Sequence, residues 1–291
     1  MTVAAALLLG GCTLPGGTRD AGGAGDDRPN PTPPASARAD ADRPDPTGPG
    51  KSPGQADGDL AAEIDAIVER WGGRAGAALA VPGTGGEAPR VAGELVDDVA
   101  WSTSKVPVAI AAVRAGGAGA ADVTSAIAVS DNAAAESLWA GLGDPRTAAA
   151  AADAVLRDGG DATTRVNAER TRPEFTAFGQ TRWALPDQAR FGANLTCLDG
   201  AGPVVSAMGE IADDQRYGLG VVPGARFKGG WGPDESGMYL VRQFGTVAVD
   251  GGEVGVAIAA RPADGTYETG QAMLTDIAEA VQRHMPAGGT C

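Results

Sequence analysis

Three short runs in this chain hold residues whose types and spacing could carry out acyl transfer. Ser102-Thr103-Ser104-Lys105 sets a hydroxyl and an amine three positions apart. Ser130-Asp131-Asn132 follows, with 24 residues between Lys105 and Ser130, and Lys228-Gly229-Gly230 stands well downstream. On a helix, positions i and i+3 share a face, so Lys105 can meet Ser102. A lysine desolvated beside a serine loses part of its proton affinity and can accept the serine proton. At the first turn of a helix, free backbone N–H groups and the positive dipole end favour developing negative charge. The Ser130 hydroxyl could relay a proton to a leaving nitrogen, and the Asn132 amide could bind a substrate carbonyl. The same run also suits plain capping of the next helix, a role compatible with the chemical one. Lys228 adds positive charge for a substrate carboxylate, on a strand whose edge could hold an extended amide. The chain has one histidine, His284, in a polar stretch just before Pro286 with no sign of a pocket around it. A Ser-Lys pair needs no histidine, whereas a Ser-His-Asp triad would depend on that residue. Taken singly, each run is weak; their order and setting make the argument.

The elements that must position these runs can be read from periodicity. Leu60, Ile64, Ile67, Val68 and Trp71 recur at helical spacing, which predicts a helix over 59–71 ended by Gly72-Gly73. A strand over 76–81 and another near 89–93 read as a hairpin. Ser102 opens an apolar helix over 106–113; further helices are expected at 122–129, 133–142 and 186–195. Residues 160–182 lack periodicity and read as a long loop. The chain closes with strands at 226–231, 239–249 and 254–260, then a helix bearing Met273, Leu274, Ile277 and Val281 on one face. The economical arrangement is an α+β fold: one antiparallel sheet of about five strands, built from both chain ends and flanked by the terminal helices, with a reduced all-α subdomain beside it.

Residues 13–57 are rich in Pro, Gly, Asp, Ala and Arg and nearly free of large apolar side chains. Such a stretch buries too little surface to offset chain entropy and reads as a disordered tether. Residues 58–291 then form the folded domain and carry most of the net charge of −14. An acidic domain without a basic stripe argues against nucleic acid as a partner. Residues 1–12 end in Leu9-Gly10-Gly11-Cys12 after an apolar run too short to span a bilayer. This segment resembles a bacterial lipobox, in which the cysteine, here Cys12, is lipidated; a basic region before the apolar run is lacking. The expected location is therefore outside the cytoplasm, anchored by lipid to the bacterial cell membrane. Cys197 and Cys291 remain as a pair. In an oxidising compartment they are expected to form a disulfide, the alternative being two isolated small hydrophobes. There is no Cys-x-x-Cys and no histidine cluster, so neither a metal nor a cofactor is expected.

Together, Ser-Thr-x-Lys opening an apolar helix, Ser-Asp-Asn at a helix break and Lys-Gly-Gly on a strand before a strand–helix ending resemble the serine β-lactamase and penicillin-binding DD-peptidase superfamily, in its class A layout. The resemblance covers nearly all of residues 58–291. It implies Ser102 as the acylated nucleophile, Lys105 as base, Ser130 as proton relay, Asn132 as a substrate contact and Lys228 as an electrostatic anchor. It also implies that Gly230 and Trp231 lie along the substrate, with an oxyanion hole from the N–H groups of Ser102 and Trp231. Three departures stand out. The spacing between Lys105 and Ser130 is short. Gly229 replaces the hydroxyl residue that would bind a substrate carboxylate. The deacylating glutamate belongs to a Glu-x-x-x-Asn pattern, which Glu169 satisfies except that Pro173 holds the Asn position; Glu174 is a second candidate. The resemblance implies a monomeric serine hydrolase acting on a small-molecule β-lactam or a peptidoglycan-like amide or ester. The alternative is a catalytically weak or inactive lipoprotein that uses the fold to bind a cell-wall ligand or a protein partner.

Overall fold

A computed structural model describes residues 53–84 and 87–291, with side chains from Gly58 onward. Cys12 and nearly all of the 13–57 stretch lie outside the described residues. The helix α1 (Pro53–Trp71) begins inside the stretch read as tether and delivers the chain to β1 (Arg74–Ala80), which turns back into β2 (Arg90–Gly93). After β3 (Asp97–Val99) a 3₁₀ turn, Trp101–Ser104, runs straight into α2 (Lys105–Arg114). Three helices follow, α3 (Ala120–Ala128), α4 (Asn132–Gly141) and α5 (Pro145–Asp158). The chain then passes through a long loop to β4 (Arg182–Ala184), α6 (Leu185–Asn194) and α7 (Gly202–Met208). It ends with β5 (Ala225–Pro233), β6 (Tyr239–Val249), β7 (Gly252–Arg261) and α8 (Tyr267–Arg283).

The main sheet is antiparallel with strand order β2-β1-β7-β6-β5, so both chain ends build it, as expected. A small two-stranded sheet, β3 with β4, stands apart. One face of the main sheet is covered by α1 and α8. Leu60, Ile64 and Ile67 from α1 and Met273, Leu274, Ile277 and Val281 from α8 are all buried there. Their spacing of three and four residues is what an amphipathic helix must show to lie on a sheet. Each such side chain contributes roughly 1.5–3 kcal/mol when fully buried. The opposite face carries α6 and the helical part of the molecule.

At the centre of that helical part, α2 is buried along Lys105–Ala112 on every side, as its continuous apolar run requires. Pro107 falls in its first turn, where a missing N–H costs no hydrogen bond. Asp144 caps α5 by accepting from Arg146 N and Thr147 N at 3.0 and 3.2 Å, with Pro145 as the first helical residue. The expected disulfide is present: Cys197 and Cys291 are bonded across 94 residues, with a Cα separation of 5.6 Å.

Candidate active site

Ser102 lies in the 3₁₀ turn Trp101–Ser104 rather than in the first turn of an α-helix, and Lys105 is the first residue of α2. The turn is fixed from below. Thr103 Oγ1 donates to Ala100 O at 2.5 Å, Ser104 Oγ donates to Trp101 O at 2.7 Å, and Gln188 Nε2 donates to Thr103 Oγ1 at 2.9 Å. Trp101 carries φ +49°, and Ser130, across the cleft, φ +62°. They are the non-glycine residues with positive φ among the described residues, and both border the cleft. Backbone held in the left-handed region costs on the order of 1–3 kcal/mol, offset by the surroundings that impose it.

Lys105 does not bond to Ser102. Its Nζ donates to Ser130 O at 2.5 Å, Ser130 Oγ at 3.3 Å and Asp131 O at 3.2 Å, while Ser102 Oγ has no hydrogen-bond partner among the described residues. Three oxygens at the Ser130–Asp131 corner outcompete a single hydroxyl for the ammonium. Lys228 Nζ reaches the same corner, donating to Ser130 Oγ at 2.9 Å and to Gly229 O at 2.9 Å. Burial moves the Lys105 ammonium down to about 8, against an opposing pull from the nearby Asp131 charge. Lys228 is fully buried and held well below the ordinary lysine range, first by desolvation and then by the positive charge of Lys105.

The strand β5 is one of the two edge strands of the main sheet and runs against the Trp101–Ser104 turn. At Gly230 the approach is so close that a Cβ would stand 2.7 Å from Ala100 O and 2.9 Å from Ser102 N. Glycine there is a condition for Ser102 N–H and the following residue, Trp231, to come near one another. Gly229 is different: a Cβ would meet Trp231, Gln243 and Tyr217 only at 3.6–3.8 Å, an ordinary contact distance. No steric demand accounts for glycine at 229.

A cleft of about 530 Å³ opens between β5 and the helical part, lined by Ser102, Ser130, Asn132 and Trp231 among others. That volume suits a small-molecule ligand. Asp131 caps α4, with Ala134 N donating to its Oδ1 at 2.7 Å, which sets Asn132 exposed at the cleft rim. Of the two candidate glutamates, Glu174 lines the cleft and Glu169 does not. Glu169 is 82% exposed and lies 3.8 Å from the equally exposed Arg146. The loop turns between the two residues and carries Glu169 outward. His284 is also removed from the cleft. It lines a separate cavity of about 500 Å³ with Leu79 and Glu87, a pocket the sequence did not announce, and its ring meets Glu63 Oε1 at 2.8 Å.

Two further residues hold this site together and carry no motif. Gln180 staples the loop that presents Glu174. Its Oε1 accepts from Thr171 Oγ1 at 2.5 Å and Arg172 N at 2.8 Å; its Nε2 donates to the carbonyls of Arg172, Phe175 and Thr176 at 3.0–3.3 Å. Arg242 is fully buried behind the turn that carries Ser102. It donates to Asp98 O, Val99 O and Trp183 O, and at 2.6 Å to Gln188 Oε1, the residue that in turn holds Thr103. Desolvation brings its guanidinium down to about 10, opposed by the charges of Asp98 and Asp97. The available signal for Arg242 was its place as the one charged residue of a largely apolar strand, where a charge must be paired.

No known family profile matches the chain, and no curated protein matches it. Solved structures do. A class A β-lactamase from Bacteroides cellulosilyticus superposes with a TM-score of 0.63 at 12% identity, covering 79% of this chain and 98% of that one. A β-lactamase from Burkholderia vietnamiensis gives 0.61 at 18% identity, covering 77% and 95%. A variant of the last common ancestor of Gram-negative bacteria class A β-lactamase gives 0.59 at 21%, covering 76% and 96%. The chain therefore has the fold of these β-lactamases.

Proposed function

We propose that the protein is a serine acyl hydrolase that works outside the cytoplasm, held to the bacterial cell membrane through lipid on Cys12. The observation that carries the catalytic part is Lys105, a buried amine brought down to about 8 at the Ser130 corner, three residues from a serine on a cleft wall. In this reading Lys105 takes the Ser102 proton as Ser102 Oγ attacks the carbonyl carbon of a β-lactam, amide or ester. The N–H groups of Ser102 and Trp231 receive the oxyanion. The proton passes through Ser130 to the departing nitrogen or oxygen as its bond to carbon breaks, leaving an acyl-Ser102 enzyme. Water, activated by a carboxylate of the cleft wall, in this reading Glu174, then releases the acid. Glu169 is assigned no part in this step.

The test is incubation of the protein with a penicillin or an activated ester, followed by intact-mass measurement. A covalent adduct that Ser102→Ala abolishes supports the reading. Failure of every β-lactam and ester to form one would leave a ligand-binding protein on this fold. Radiolabelled palmitate incorporation that disappears in Cys12→Ala would support the anchor; equal labelling of the two proteins would remove it.

A further inference from the structure

The walls of the cleft point to a substrate class, an inference that rests on the acyl-transfer reading above. Aromatic side chains stand on both sides. Trp101 and Phe175 meet edge to face on the side of the nucleophile turn, with ring centroids 4.9 Å apart at 71°. Trp231 and Tyr239, on the sheet side, both pack on Tyr267 at 5.5 and 5.8 Å. Such faces favour flat apolar groups by area and by ring-edge contacts.

The charges tell the complementary story. Arg170 lines the cleft, but its guanidinium is bonded to Glu136 at 2.6 Å. Arg172 pairs with Glu174 at 3.2 Å, donates to Pro233 O at 2.7 Å and lies over the Phe175 ring at 4.4 Å. Lys105 gives three hydrogen bonds to Ser130 and Asp131, and Lys228, fully buried, gives two, to Ser130 and Gly229. These cations are therefore all engaged by protein acceptors, while two carboxylates, Glu136 and Glu174, line the walls. At position 229 there is no hydroxyl to receive a substrate anion, although a Cβ there would meet only ordinary contacts.

We propose that the cleft takes neutral esters or amides bearing a flat aromatic or apolar group, and discriminates against substrates that carry a carboxylate near the scissile bond. An entering carboxylate would lose water against aromatic faces, beside arginines that are already paired with Glu136 and Glu174. A neutral aryl ester meets no such cost. Its acyl group moves to Ser102 Oγ, its C–O bond breaks, and the departing phenol leaves with the proton that Ser102 gave up.

Matched pairs test this, with the full-length protein. Benzylpenicillin is set against its methyl ester, and phenyl acetate against the acetoxybenzoate that adds one carboxylate; Ser102 acylation is followed by intact mass and phenol release. The neutral member of each pair is expected to react about tenfold faster or more in kcat/KM. Equal rates, or a faster carboxylate member, would overturn the inference. A small uncharged fluorophosphonate separates the two levels of the argument. Labelling of Ser102 by this probe, with the charge preference absent or reversed, removes the substrate class alone. No labelling by the probe or by any ester removes the acyl-transfer reading and this inference with it.

Discussion

Lys105 and Lys228 converge on a single acceptor, their Nζ atoms standing 3.3 and 2.9 Å from Ser130 Oγ. Two ammonium groups sharing one hydroxyl in a buried corner repel each other, and burial penalises both. The arrangement favours a state in which one amine is neutral, which is what a general base next to Ser102 requires.

The first expectation concerns pH. With Lys105 brought to about 8, the base is mostly protonated below that pH and free above it. Acylation of Ser102 should rise about tenfold per pH unit below 8 and level off above it. The same shift bears on stability with a definite sign. Between about 8 and the ordinary lysine value of 10.5, the unfolded chain binds the proton that the folded one has released. This group alone therefore makes the protein more stable as pH rises through that window. Single-turnover acylation rates from pH 6 to 10 check the first point; a flat profile would remove Lys105 as the base.

A second expectation separates two neighbouring glycines. Gly230→Ala drives a Cβ into Ala100 O and Ser102 N, so the Trp101–Ser104 turn must shift. Acylation should fall about a hundredfold, as a displacement near 1 Å costs, and stability should drop by roughly 1–3 kcal/mol, as overpacking does. Gly229→Ala meets only ordinary contacts and should fold with wild-type stability. Equal behaviour of the two variants in urea denaturation and in acylation would contradict the geometry.

Glutamate assignment gives a third. Glu174→Gln should lengthen the life of the acyl-enzyme by one to several orders of magnitude, about the range expected for loss of a general base. Glu169→Gln, on the solvent side of the loop, should leave it unchanged. Adduct lifetimes by mass spectrometry decide. Because Gln180 holds the loop that carries Glu174, Gln180→Leu should shorten the survival of residues 171–176 under limited proteolysis.

How far these features could be read beforehand depends on the kind of signal each residue leaves. The sheet, α1 and α8 follow from strong apolar periodicity, and the order of the three motifs located the cleft. The helix α5 escaped notice because alanines dominate it and blur the apolar stripe, although Asp144-Pro145 is a regular helix start. Glu169 falls outside the cleft because residue spacing cannot say how a loop of more than a dozen residues turns; that path is set by Gln180, eleven positions on. The Ser102–Lys105 bond failed because the serine sits in a 3₁₀ turn and the lysine finds better acceptors across the cleft.

Arg242 supplies the fourth expectation. Four oxygens from three segments accept from its guanidinium, and methionine would withdraw that donor from all of them at once. Arg242→Met should destabilise the protein by about 3 kcal/mol or more, the scale for orphaned buried polar groups in a network. Lysine, with a point charge in place of a planar fork, should recover only part of this. Chemical denaturation of the three proteins measures it; a methionine variant as stable as the parent would show the network to be dispensable.

The pairing of β1 with β7 joins Gly76 to Ala259. A ribosome must therefore produce almost the whole domain before its first strand acquires its central neighbour, and β1 must wait meanwhile with only β2 beside it. Folding here is a late, long-range event, slow by the standard of locally connected proteins and exposed to aggregation until it is complete. The turn that carries Ser102 leans on β5, which reaches β1 and β2 only through β6 and β7, so its support is complete only after β7 has been made. A chain cut short by a few dozen residues would hold every motif and assemble none of them.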